Sequence, residues 1–305
     1  MTQINLKWQS KLVLLLVLPT AAAGVVLQTH WWAVSDANVA IWAIGFSLLL
    51  GFLVLTLHAA TPGGAFTGTV ITASLIFSTV SFFPREIAAY APWHTALVPV
   101  LAVALLAHFS TRLGRAKKER LGTAEGKRGR TAAQVAANLG LASIVSNQFV
   151  LIWLSDSHRF FLGGFAPDPI FAPMLAALAE AAADTVSSEI GQVLGGTPRL
   201  ITTLRAVDPG TDGAISLIGT LAGVIAATIV AALGTLAFYG RYFQLETFWV
   251  SAAGGVFGLL FDSLLGATLE RRGWLNNDLV NFLSTASAAA FALGVLALLP
   301  HPGVG

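Results

Sequence analysis

A chain of 305 residues that is 55% hydrophobic and only 10% charged cannot present an ordinary water-facing surface, because soluble domains carry roughly a quarter charged residues. Its mean hydropathy of +0.76 instead points to a bilayer. The absence of cysteine excludes disulfides and thiol chemistry, and the net charge of +2 matters less than where the charges fall.

In chain order, nine apolar blocks read as crossings: 12–28, 39–57, 65–83, 95–109, 133–154, 169–190, 214–238, 248–269 and 279–299. A spanning helix needs about 20 mostly apolar residues, and only the 95–109 block is markedly short. No ten-residue alternation of the barrel kind occurs, so helices are expected throughout. The expected fold is an all-α, polytopic transmembrane helix bundle of about nine spanning helices, forming one integral membrane domain over 1–305. Within it, 12–110 are N-terminal helices, 111–132 a basic cytoplasmic loop, and 133–299 the helices carrying the candidate site. The start of the first block resembles a signal peptide, with Lys11 followed by leucines and a Thr20–Gly24 run of small residues. Its continuation to Gln28 is long enough to span, and an uncleaved first helix is expected.

Nine alternating crossings divide the Lys and Arg residues 14 against 3, which accounts for all 17. Lys7, Lys11, Arg112, Arg115, Lys117, Lys118, Arg120, Lys127, Arg128, Arg130, Arg199, Arg205, Arg271 and Arg272 fall on one side. Arg85, Arg159 and Arg241 fall on the other. The positive excess marks the cytoplasmic face, so the N-terminus is expected inside and the C-terminus outside. A cell inner membrane is the expected location. Trp31, Trp32, Trp93, Trp153, Tyr239, Tyr242 and Trp249 lie at the expected outer boundaries, where amphipathic rings prefer to sit. The run 112–130 reads either as a loop against anionic lipid or as a recruiter of a phosphate-bearing substrate.

Acids and amides inside crossings are costly, and here they cluster. The fifth span begins near Gln134 and Asn138. The sixth carries Glu180, Asp184 and Ser188 at four-residue spacing on one face, followed by Glu189. A glycine- and threonine-rich stretch with Arg199, Gly210, Thr211, Asp212, Ser216 and Thr220 leads into the seventh span, whose N-terminus is a natural anion site. Thr211 or Asp212 is expected to cap that helix. The eighth span holds Asp262 and Ser263, with Gly258 and Gly266 one turn to either side of the acid. Asn277 and Asn281 share a face at the start of the ninth. All these groups fall near the cytoplasmic ends of their helices. They read either as helix–helix polar contacts and caps or as one site built from distant segments. Their oxygens suit Mg²⁺ completed by substrate phosphates. His30, His58, His94, His108, His158 and His301 are scattered without metal spacing, and no Walker motif or nucleophile elbow is present.

The stretches GRTAAQVAAN at 129–138, AAADTVSSEIG at 181–191, PGTDGAISLIGT at 209–220 and FDSLLGAT at 261–268 resemble the membrane family known as domain of unknown function 92. HFSTRLGRAKK at 108–118 and NFLS at 281–284 are similar to it as well, and the likeness spans roughly 40–299. That family includes vertebrate transmembrane protein 19 and the phytyl-phosphate kinases of vitamin E synthesis, with distant similarity to dolichol and phytol kinases that use CTP. The resemblance implies phosphorylation of an isoprenyl monophosphate to the diphosphate. Glu270 departs from it, standing where an amide is expected.

The expected chemistry is phosphoryl transfer from a nucleoside triphosphate, CTP by resemblance, to a lipid phosphate held at the cytoplasmic interface. Asp184, Glu189 and Asp262 are the expected Mg²⁺ ligands and catalytic acids. Arg199, Thr211 and the seventh-helix N-terminus are expected to hold phosphates, and Asn277 and Asn281 to orient the substrate. Asn138, Ser188, Gly210, Ser216, Thr220 and Ser263 complete the expected binding surface. No clear general base stands out, and an ionised phosphate nucleophile needs none. The partners expected are the bilayer, the isoprenyl phosphate and the nucleotide, without nucleic acid. The alternative is an ion- or proton-coupled transporter using the same carboxylates.

Overall fold

The computed structural model describes residues 6–80, 91–124, 129–148, 150 and 169–299. Arg85, Lys127, Arg128, Trp153, His158, Arg159, His301 and the end of the expected fifth span lie outside the described residues. The helices are α1 (Lys7–Ser35), α2 (Ala37–Thr56), α3 (Pro62–Val80), α4 (Leu97–Arg112), α5 (Arg115–Leu121) and α6 (Ala132–Val145). They continue as α7 (Ala172–Leu194), α8 (Leu217–Tyr239), α9 (Leu245–Leu265) and α10 (Asn277–Leu298). Two short antiparallel strands, β1 (Arg199–Leu200) and β2 (Ala214–Ile215), lie between α7 and α8.

The fold is the expected all-α membrane bundle. Among the described residues, α1, α2, α3, α8, α9 with its extension to Glu270, and α10 are long and apolar enough to cross a bilayer, which makes 6. Helices α4 and α5, which meet at 65°, would make a seventh as one broken span. Among the described residues this measure counts fewer than the expected nine crossings, and the difference lies in α6, whose expected span continues outside them, and in α7. Helix α6 has 14 described residues. Helix α7 has 23 residues, but Glu180, Asp184 and Glu189 lower its apolarity.

Protein instead of lipid surrounds α7. Every residue from Ala172 to Ala183 is buried, and α4, α6, α8, α9 and α10 pack around it. Its alanines let those neighbours approach closely, as small residues do between membrane helices. On α9 the matching positions are glycines: a Cβ at Gly255 would lie 2.7 Å from Ala179 Cβ, and one at Gly258 would lie 2.5 Å from Glu180 Cγ. Gly258 thus lets a neighbouring helix approach closely.

Polar contacts identify the two ends of the bundle. At one end Gln9 Nε2 donates to Trp274 O at 2.8 Å, Arg112 Nη2 to Leu57 O at 3.1 Å and Arg130 Nη2 to Thr185 Oγ1 at 3.2 Å. At the other, His94 Nδ1 meets Ala237 O at 2.9 Å and Ser251 Oγ donates to Ala172 O at 3.2 Å. The first end gathers Lys7, α5, Arg130, the β1–β2 hairpin and Arg271, so the fold brings the basic segments together. The 111–132 stretch, expected as a loop, contains α5. This short helix turns back onto α7 because Lys118, 1% exposed, pairs with Glu189 and donates to Ser110 O at 3.0 Å and Thr111 O at 2.8 Å.

Candidate functional site

At the basic end a cleft of about 230 Å³ lies among α7, the β1–β2 segment that leads into α8, α9 with its extension, and the start of α10. It gathers four acids from three segments: Asp184 of α7, Asp212 of the loop, and Asp262 and Glu270 of α9 and its extension. The chain passes from α9 into a π-turn, Gly266–Glu270, whose wider turn breaks the α-helical phase and gives Glu270 its place at the cleft. Gly266 is required at this point, since a Cβ there would lie 2.7 Å from Gly213 N. Gly213 itself sits at φ +71°, with the backbone N of Ala267 2.1 Å from where a Cβ would be. This backbone-on-backbone crossing sets Asp212 over the end of α9.

Of the expected site residues, Asp184, Ser188, Gly210, Thr211, Ser216, Asp262, Ser263, Asn277 and Asn281 all line this cleft. Four others do not. Glu189 lies one residue beyond the Asp184–Ser188 face, and its carboxylate is taken by Lys118 and by Thr111 Oγ1 at 3.2 Å. Arg199 turns to its own hairpin and donates to Leu204 O at 2.7 Å. Thr220 sits one helical turn, about 6 Å, deeper in α8 than Ser216. Asn138 lines a separate cavity, although its Oδ1 accepts from Asn281 Nδ2 at 3.4 Å.

The cap of α8 also differs from expectation. The helix starts at Leu217, after β2, and Ser216 Oγ accepts from Gly219 N at 3.1 Å. Thr211 Oγ1 instead donates to Asp208 O at 2.7 Å within the preceding turn. Gln134 closes a capping box with Thr131 and is accounted for structurally. The residues that sequence reasoning left without a site role are Asp212, Glu270, Ser187 and Gln192, all lining the cleft. Asp212 and Glu270 are acids flanked by the glycines 213 and 266, which is the signal their chemistry offered.

The electrostatics are lopsided. Asp184, Asp262 and Glu270 lie within reach of one another's fields, the deeper Glu180 within reach of Asp184 and Asp262, and Asp212 within reach of Asp262 and Glu270. Asp262 Oδ2, Gln192 Oε1 and Glu180 Oε1 are buried and have no hydrogen-bond partner among the described residues. Outside the spans, burial pushes the Asp212 carboxyl above its ordinary range while Arg271 draws it part of the way back. An arrangement this acidic holds anions only with a cation between. Among the described residues no three His, Asp or Glu side chains converge at metal-ligating range, so the three-carboxylate cage expected from Asp184, Glu189 and Asp262 is not formed. Mg²⁺ does not require one: it is commonly held by one or two carboxylates, waters and substrate phosphates. Asp184 and Asp262 fit that smaller role, and a cation would satisfy the orphaned Oδ2.

Fold and cleft together define a polytopic α-helical membrane protein with a carboxylate-rich cleft at the basic end of its bundle. The chain belongs to the family of integral membrane protein DUF92, whose family model matches residues 45–289. It is 45% identical over 111 residues to an uncharacterised membrane protein of Methanocaldococcus jannaschii, an alignment covering 36% of this chain and 45% of that one. An uncharacterised membrane protein of Synechocystis is 32% identical over 215 residues, covering 67% and 74%. Protein VTE6, chloroplastic, of Arabidopsis thaliana is 31% identical over 198 residues, covering 64% and 56%. This chain thus spans about half the length of the first and third of these relatives. No solved structure matches it.

Proposed function

We propose that this protein is a membrane-embedded kinase of isoprenyl monophosphates, transferring a phosphoryl group from a nucleoside triphosphate, CTP by family resemblance, at the cytoplasmic face. The observation that carries the reading is the cleft: carboxylates, amides and hydroxyls from α7, the β1–β2 segment, α9 and its extension, and α10 converge at the basic end of a membrane bundle. Membership of a family that includes phytyl-phosphate kinases supports it. The tail of such an acceptor stays in the bilayer and its phosphate lies at the interface, which the basic end of the bundle would meet.

Phosphoryl transfer asks the protein chiefly for positioning and charge neutralisation. Asp184 and Asp262 would hold Mg²⁺, which, when bound, neutralises phosphate charge. The hydroxyl of Ser216 offers a donor, those of Ser188, Thr211 and Ser263 would do so by turning from the backbone carbonyls to which they donate, and the amides of Asn277 and Asn281 orient the two phosphate-bearing groups for in-line attack. The acceptor's phosphate oxygen attacks the terminal phosphorus, and the nucleoside diphosphate leaves. No carboxylate need act as base, because the ionised acceptor has no proton to lose.

The test is to supply purified protein with phytyl, farnesyl or geranylgeranyl phosphate, Mg²⁺ and each nucleoside triphosphate. Diphosphate formation that is lost in Asp184→Asn supports the reading. A second reading, an ion-coupled transporter, is favoured by one observation: Glu180 lies deeper than the cleft, fully buried, with an unpartnered oxygen. Failure with every acceptor, together with substrate-dependent flux in liposomes, would establish that reading in place of the kinase.

A further inference from the structure

A second cavity, of about 200 Å³, lies among α2, α3, α4 and α6, and the acidic cleft leaves it unexplained. Its walls within the bundle are aliphatic, with Leu50, Val54, Val100, Val103, Ala104 and Leu139 among them. Its mouth at the basic end carries Arg112, Arg115, Arg130, His58 and His108, and no Asp or Glu among the described residues lines it. Between Val100 and Arg112 the cavity follows α4 for about 18 Å. Apolar depth and a cationic mouth, separated along one axis, complement an amphiphile with one hydrocarbon chain and an anionic head. The volume, small for a ligand pocket, suits one chain better than the two of a glycerophospholipid.

Two contacts join this cavity to the acidic cleft. Arg130 lines the cavity while its Nη2 donates to Thr185 Oγ1, beside Asp184 in α7. Its backbone is fixed on both sides: Arg130 N donates to Ala59 O at 3.0 Å, and Arg130 O accepts from Thr61 N at 3.0 Å. Gly129, at φ +72°, permits this approach, because a Cβ there would lie 2.4 Å from the Ala59 carbonyl carbon. Further along the partition, Asn138 of the cavity accepts from Asn281 of the cleft.

We infer that this second cavity binds a single-chain lipid monophosphate, with the tail between α2 and α4 and the phosphate at Arg112 and Arg130. Arg130 then presents that phosphate to the edge of the cleft holding Asp184. The binding follows from the cavity alone; only the onward transfer rests on the kinase reading.

The experiment uses the full chain in nanodiscs without nucleotide. The probe is geranylgeranyl monophosphate carrying a diazirine at the far end of its tail, with geranylgeraniol and inorganic phosphate as comparison ligands. Expected are saturable binding of the monophosphate, binding of each comparison ligand weaker by about ten-fold or more, and crosslinks on α2 or α4. Ala104→Phe and Ala107→Phe, which fill the cavity, and Arg112→Gln, which removes a charged donor, should each weaken binding about ten-fold or more. Crosslinks confined to α8 and α9, or equal binding of geranylgeraniol, would overturn the inference. So would undiminished binding in both phenylalanine variants; should neither variant fold, the crosslink positions in the unaltered protein decide. The two readings separate cleanly. Binding in the cavity without diphosphate formation under any nucleotide sinks the kinase and leaves the cavity assignment standing. Diphosphate formation at unaltered KM for the lipid in Ala104→Phe sinks the cavity assignment and leaves the kinase standing.

Discussion

Replacing Glu189 by alanine separates a structural role for this acid from the metal-binding role that its sequence position suggests. Its partner Lys118 is 1% exposed, and the ammonium has three acceptors: Glu189, Ser110 O and Thr111 O. Removing one partner of a buried pair costs about 3–5 kcal/mol, because the other charge stays buried. Here the ammonium keeps two carbonyls at the C-terminus of α4, where the helix dipole favours a cation, so a loss near the lower limit, about 3 kcal/mol, is expected. Lys118→Met should cost less, since the Glu189 side chain retains Thr111 Oγ1 and is 13% exposed. The double variant Lys118→Met, Glu189→Ala should return to within about 1 kcal/mol of the original, as apolar replacements of buried pairs commonly do. Thermal unfolding of the purified protein, read beside diphosphate formation, measures both quantities. The double variant should keep most of its turnover. Unaltered unfolding of Glu189→Ala alone, together with abolished turnover in the double variant, would refute the structural role and return Glu189 to the metal.

Asp262→Asn removes one of several mutually repelling carboxylates. It should therefore lower turnover by about 100-fold or more while unfolding at the same or a higher temperature. A parallel fall in both would show that the acid mainly holds the fold. Gly213→Ala combines a positive φ with a Cβ 2.1 Å from Ala267 N, so the Asp212 loop must move off the end of α9. A raised KM for the nucleotide is expected, and an unaltered KM would detach that loop from the site. The Asp212 carboxyl is raised by burial, so its contribution to stability is present below the ordinary Asp value near about 3.9 and lost as pH rises through its folded value. Asp212→Asn should then raise the unfolding temperature at pH 7 relative to the original protein, with the gain vanishing near about pH 4. A gain independent of pH would disprove that account.

Much of the fold was legible because hydrocarbon imposes a simple rule, that long apolar blocks become helices. Eight of the expected nine blocks coincide with described helices over most of their length, and the fifth does so at its start, in α6. Helix α7 shows where that rule weakens, since acids within a buried central helix reduce the very apolarity by which crossings are counted. Positions such as Asp184, Ser188, Asp262, Asn277 and Asn281 were legible because polar groups are costly inside a bilayer helix, so clusters of them stand out. Arg199 and Glu189 have the same chemistry as true cleft residues, and only their neighbours in space distinguish them.

From the sequence alone came the membrane, the helical class, the separation of basic residues, and the segments whose polar groups would meet. Composition and spacing determine those, because each depends only on chain-local hydropathy and charge. Tertiary structure decided which carboxylates share the cleft. It gave Glu189 to Lys118, and through the π-turn and the Gly213–Gly266 crossing it brought Glu270 and Asp212 in. It also produced the second, basic-mouthed cavity from four helices that no local pattern connects. Both outcomes depend on how distant backbones approach one another, and that is set by packing between helices, beyond what the period within any one of them records.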